Sequence, residues 1–105
     1  MVIVRSDIPA RELFPGFRAR LVHGGGTTLS WLEADAGAVV AEHSHPHEQV
    51  VNVLDGTLEL TVDGTVYMLE AGSSFVVQPD VRHAARAVTA CAVLDVFAPA
   101  REDYR

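Results

Sequence analysis

Cysteine occurs once in these 105 residues, at Cys91. An intramolecular disulfide and a thiolate metal cluster are therefore excluded. The flanking Ala90, Ala92 and Val93 suit a small buried hydrophobe better than a nucleophile. Long apolar runs are missing as well. No segment approaches the roughly 18–20 consecutive apolar residues of a membrane span. The opening MVIVRSDIPARE lacks the apolar stretch of a secretory signal. The expectation is a cytoplasmic protein with no membrane partner. Basic charge is scarce, with 8 Lys and Arg against 14 Asp and Glu and a formal net charge of -6. That balance argues against a nucleic-acid partner, because such binding relies on cations neutralising phosphates. It leaves room for a small anionic ligand, whose local environment one or two arginines and a metal can set.

Linkers, low-complexity tracts and long helical periods are also absent, and what remains is β-like. Length predicts one domain spanning residues 1–105. Apolar content of 49% with 21% charged residues suits a globular core. Residues 1–26 read as an irregular N-terminal arm leading into the first strands, with Pro9, Pro15 and Gly16 as punctuation. Strands are expected over Thr27–Ala34, Val50–Leu54, Thr57–Val62, Thr65–Leu69, Phe75–Val77 and Ala90–Phe97. Asp55-Gly56 and Asp63-Gly64 lie between such runs, and Asp-Gly pairs in that position signal hairpins. Many short strands with regular turns predict an all-β sandwich or barrel. Trp31, Tyr67 and Phe75 are assigned to packing.

The chemistry concentrates in His43-Ser-His45-Pro-His-Glu-Gln49, with His83 following in QPDVRH. Imidazole nitrogens are the commonest side-chain ligands for divalent transition metals, and an amide oxygen can complete such a set. On a strand, residues i and i+2 share a face, so His43 and His45 can aim at one point. By the same parity Gln49 is preferred to Glu48, and His47 is read as lying at the rim or behind the ligands. The competing reading is a solvated histidine-rich loop. Strand-like runs and tight turns on both sides favour the metal site: His43, His45, Gln49 and His83 around one divalent ion (nickel, zinc, iron or manganese).

These residues resemble the cupin superfamily. Its first motif, G-x5-H-x-H-x3-E-x6-G, is matched over residues 37–56 from Gly37 to Gly56 with every spacing kept, Gln49 replacing the Glu. The second, G-x5-P-x-G-x2-H-x3-N, runs over residues 72–87, with Gln78, Asp80 and Ala87 at the Pro, Gly and Asn positions and His83 retained. The resemblance implies a jelly-roll β-barrel with a metal inside, commonly a homodimer. A neutral Gln49 leaves a divalent ion its full charge, making it the stronger Lewis acid toward anionic oxygens.

A narrower resemblance lies in HSHPHEQ together with the tail Leu94–Tyr104. It is similar to pectin-degradation cupins of the KdgF type, which convert 4,5-unsaturated uronates to linear ketones. That family places an Asp, a Phe two residues on and an Arg four beyond that in its active site, and Asp95, Phe97 and Arg101 match the spacing. Asn52 stands where these relatives often carry an aromatic, which would alter the pocket. The residues carry their own signal too. A carboxylate inside Ala92-Val-Leu-Asp-Val-Phe97 is costly unless paired, so Asp95 reads as functional or as a structurally satisfied buried acid. The fork of Arg101 suits a uronate carboxylate; the alternative is an arginine paired with Glu102 or Asp103. Arg18 and Arg20 are weaker candidates for the same role. The expected protein is a metal-dependent enzyme on a small sugar-acid-like substrate. A metal-dependent dioxygenase and a noncatalytic ligand-binding cupin are the alternatives, since fold does not fix function.

Overall fold

A computed structural model describes residues 1–105. Ten strands carry the fold: β1 (Arg11–Phe14), β2 (Phe17–His23), β3 (Thr28–Ala34), β4 (Val39–His43), β5 (Glu48–Asp55), β6 (Thr57–Val62), β7 (Thr65–Glu70), β8 (Ser74–Val77), β9 (His83–Ala87) and β10 (Cys91–Ala98). They form a six-stranded sheet in the order β1-β2-β3-β10-β5-β8 and a four-stranded sheet in the order β4-β9-β6-β7, with antiparallel pairing throughout. This is the jelly-roll arrangement expected.

Alternation along the strands builds the core. On β5 Gln49, Val51 and Val53 are buried while Val50 and Asn52 face outward. On β10 Cys91, Val93, Asp95 and Phe97 point in. Leu58 and Leu60 of β6 meet them from the other sheet. The strand period of two therefore puts four polar or ionisable side chains, Gln49, Asp95, Thr28 and Ser30, among apolar neighbours on one inner face.

Several expectations change. The opening is more regular than its prolines suggest: β1 and β2 form a hairpin around Pro15-Gly16, with Gly16 at φ +82°. The two Asp-Gly pairs part company. Asp63-Gly64 closes a true two-residue hairpin, Val62 pairing Thr65 with both turn residues at positive φ. Asp55-Gly56 instead carries the chain from the six-stranded sheet to the four-stranded one, since β5 and β6 do not pair. A left-handed glycine serves a sheet switch as well as a hairpin. Strand β9 is absent from the sequence reading because HAARA lacks β-branched residues. Its strand form comes from pairing with β4 on one side and β6 on the other. Trp31 packs outside the core, beneath the Arg5 guanidinium 4.6 Å from its ring. Tyr67 is 39% exposed and leans on Phe75 at 4.7 Å. Cys91 is buried, and burial raises its thiol pKa. No helix is long and apolar enough to cross a membrane.

Candidate metal centre

His43 ends β4, His83 begins β9, and the two are register partners in the four-stranded sheet. His45 lies beyond the end of β4, in the loop before β5. Its convergence with His43 therefore comes from the loop and not from strand parity. The three ring centroids lie 4.3, 4.8 and 5.7 Å apart. One ligand atom from each histidine falls within 4.8 Å of the others.

The backbone selects the tautomer. His43 Nδ1 lies 2.9 Å from Ala41 O, His45 Nδ1 3.0 Å from His47 O, and His83 Nδ1 2.8 Å from Val81 O. Each carbonyl can only accept, so each Nδ1 carries the proton and each Nε2 presents a lone pair. His47 thus acts through its carbonyl, while its side chain lines the outer mouth. His83 Nε2 is buried with no hydrogen-bond partner. Burial, reinforced at His45 by the Arg101 charge, lowers the pKa of His45 and His83, and so favours neutral imidazoles.

Gln49 comes from the other sheet. Its Oε1 lies 3.0 Å from His45 Nε2, and its amide acts to lower the pKa of Asp95. His45 Nδ1 carries the ring proton, so its Nε2 cannot donate to that oxygen. Two lone pairs thus face each other across 3.0 Å, an arrangement a cation between them relieves. The neutral lone-pair set and the orphaned His83 nitrogen fit a divalent ion. Glu48 is exposed on the opposite face of β5.

The tail contributes the rest. Asp95 and Phe97 point inward from β10, and Arg101 is 6% exposed just beyond it. Burial pushes the Asp95 carboxyl up to about 7, against the opposing pull of Gln49 and Arg101. Of the two readings of Arg101, the pairing with Asp103 is the one observed. Its Nε and Nη2 bond the Asp103 carboxylate at 3.0 and 2.8 Å, yet its carbon lies 4.7 Å from the Phe97 ring and 4.0 Å from Tyr104. Burial works against the cation, but Asp103 and Tyr104 outweigh it and raise its pKa. The backbone N–H of Arg101 donates to Thr28 Oγ1, fixing the tail across β3. Arg18 pairs with Asp35, and Arg20 donates to Ile8 O; neither reaches the cavity. Asn52 faces outward, donating to Leu94 O, so it leaves the pocket unchanged.

An inner cavity of about 60 Å³ holds Gln49, His83, Asp95 and Phe97 among apolar walls. Outside it an open mouth of about 610 Å³ is lined by His45, His47 and Asp103. His43 and Arg101 line both. Ser30 and Tyr104 also face the inner cavity and were not singled out from sequence. The only signal for Ser30 was a lone hydroxyl in the strand TLSWLEA; for Tyr104 there was none beyond the tail resemblance.

Two sheets of this topology enclosing a three-histidine centre define a cupin with a site for a metal ion. The cupin domain family model matches residues 30–97, and the chain belongs to that family. Within it, the chain is similar to the pectin degradation protein KdgF of Dickeya dadantii (strain 3937), 23% identical over 104 residues that cover 96% of this chain and 94% of that one. The solved structure of KdgF from a Halomonas species superposes with a TM-score of 0.91 at 27% identity, covering 97% of this chain and 96% of that one. An RmlC-like cupin from Shewanella frigidimarina NCIMB 400 gives 0.92 at 31% identity, covering 98% and 94%.

Proposed function

We propose that this protein is a metal-dependent enzyme that opens the ring of 4,5-unsaturated uronates to give linear ketones. The observation that carries the reading is the convergence of Asp95, Phe97 and Arg101 on the cavity that also holds His43, His83 and Gln49. The name of the Dickeya relative, a pectin degradation protein, points to the same substrate class. Gln49 is the fourth ligand beside His43, His45 and His83. When bound, a divalent ion supplies Lewis acidity to substrate oxygens.

The remaining steps belong to the chain. Arg101 holds the substrate carboxylate, already oriented by Asp103 and stacked between Phe97 and Tyr104. Phe97 supplies the apolar wall against the ring. Asp95 takes the proton of the hemiacetal hydroxyl as the bond from that carbon to the ring oxygen breaks, leaving an aldehyde and an enolate. The same carboxyl then returns that proton to the alkene carbon as the enolate becomes a ketone, so no atoms are gained or lost. A carboxyl with a pKa of about 7 suits both halves of this exchange near neutral pH.

The test is turnover. Metal-loaded protein is given lyase-generated unsaturated monomer, and loss of the conjugated enol absorbance is followed above the spontaneous rate. Chelated protein and Asp95→Asn run alongside. Acceleration requiring both the metal and Asp95 is expected; no acceleration by protein shown to hold its metal rejects this substrate.

A further inference from the structure

Ser30 sits in the middle of β3, 1% exposed, and its Oγ has no hydrogen-bond partner. It lies directly opposite Asp95 of β10, whose Oδ1 is also buried and unpartnered. Both residues line the inner cavity. Thr28, two residues earlier on the same face, shows the contrast. Its hydroxyl accepts the Arg101 N–H and contacts His23 Nδ1, so its bonding capacity is used within the fold. An unpaired buried hydroxyl is destabilising, and alanine at position 30 would avoid the cost. The Ser30 hydroxyl is therefore spare bonding capacity beside a carboxylate.

The space at issue is small. A cavity of about 60 Å³ admits a few non-hydrogen atoms, so it takes one end of a ligand while the rest occupies the outer mouth. A hydroxyl suits that end. It can donate to Asp95, which accepts, and accept from Ser30, which donates.

We propose that Ser30 contacts the ligand, its hydroxyl bonding a free hydroxyl of a small polyhydroxy acid whose carboxylate lies at Arg101. The inference rests on the sugar-acid reading above and narrows it: the contacted group is the anomeric hydroxyl, across the ring oxygen from the carbon that bears the carboxylate. Ser30 then polarises the hydroxyl that Asp95 deprotonates. An anomeric glycoside lacks that proton and presents a methyl group to the same space.

The experiment compares metal-loaded wild type and Ser30→Ala, with Ser30→Cys as a volume-preserving second variant. Metal content and melting temperature are measured first, and both are expected to survive because no protein partner is lost. Calorimetric binding of galacturonate and of its methyl glycoside follows, then turnover of the unsaturated monomer. Wild type should prefer galacturonate over the glycoside by roughly 10- to 100-fold, and the variants should lose most of that preference. Turnover efficiency should fall by a similar factor. Wild-type preference and turnover retained by Ser30→Ala, or equal or no binding of both probes by wild type, overturns the proposal. Rapid turnover indifferent to Ser30 removes this contact and leaves the ring-opening reading standing. A Ser30-dependent preference without turnover does the reverse.

Discussion

Replacing Asp95 by asparagine should change how the stability of the metal-free protein depends on pH, and the size of the change follows from the carboxyl's surroundings. Asp95 is 8% exposed, and its pKa rises from the ordinary 3.8 to about 7, chiefly through burial. Below the unfolded value the carboxyl is protonated in both states and contributes no pH dependence. As pH rises past it, the unfolded chain ionises while the folded one holds its proton, so stability falls until the folded group ionises near 7. The full loss is about 4 kcal/mol, from about 3 pKa units at 1.36 kcal/mol each. Between about pH 5 and pH 8 the remaining part is about 2.5 kcal/mol. The asparagine side chain does not titrate, so the variant should gain that amount relative to wild type across the same window. The lowered pKa values of His45 and His83 act with the opposite sign, but they are present in both proteins and cancel in the difference. Urea unfolding of chelated wild type and Asp95→Asn at the two pH values provides the measurement. Parallel stability curves would refute the claim that Asp95 is held protonated by burial.

Three further outcomes are expected. Metal at about a hundred times its dissociation constant should stabilise the protein by about 2.7 kcal/mol, raising the melting temperature by about 10–20 °C. His83→Ala should abolish that rise, as differential scanning calorimetry with and without chelator will show. Arg101→Lys keeps the charge but loses the planar fork gripped by Asp103, and steady-state kinetics on the unsaturated uronate should show kcat/KM falling roughly 10- to 100-fold, mostly through KM. Gly56→Ala should cost about 3 kcal/mol or more, because a Cβ there meets Ala90 O and comes within 2.8 Å of Cys91 Cβ and Thr89 Oγ1. Gly37→Ala, with similar positive φ but nothing within 4 Å, should cost only about 1–2 kcal/mol by denaturant titration.

The metal centre was legible in the sequence because its residues are close together and chemically distinctive. Even so, the expectation that His43 and His45 converge as strand neighbours was wrong in cause, since His45 stands in the loop after β4. Spacing identifies a residue more readily than it identifies the backbone that aims it. The paired glycine turns show a similar limit. Asp55-Gly56 and Asp63-Gly64 are identical locally, and only the partner strands distinguish a sheet switch from a hairpin. Strand β9 was invisible because Ala84, Ala85 and Ala87 have little β preference, and two neighbouring strands impose the conformation. The burial of Arg101 was only half legible. Its pairing with Asp103 is local, but the stacking on Phe97 and Tyr104 and the bond to Thr28 depend on how the tail crosses β3. Ser30 escaped notice because a single serine in a strand is ordinary until its partners can be counted.

The proposed ligands come from both sheets: His43 and His83 from the four-stranded one, Gln49 from the six-stranded one. A bound ion would therefore act as a cross-link in a chain whose single cysteine cannot form one. Tying residue 49 to residue 83 closes a loop of about 34 residues, and a covalent link of that length would remove about 4 kcal/mol of unfolded-chain entropy. The two layers of the barrel would then separate only after the ion had left, so amides in β5 and β9 should exchange with solvent in step when metal is bound and independently when it is stripped away.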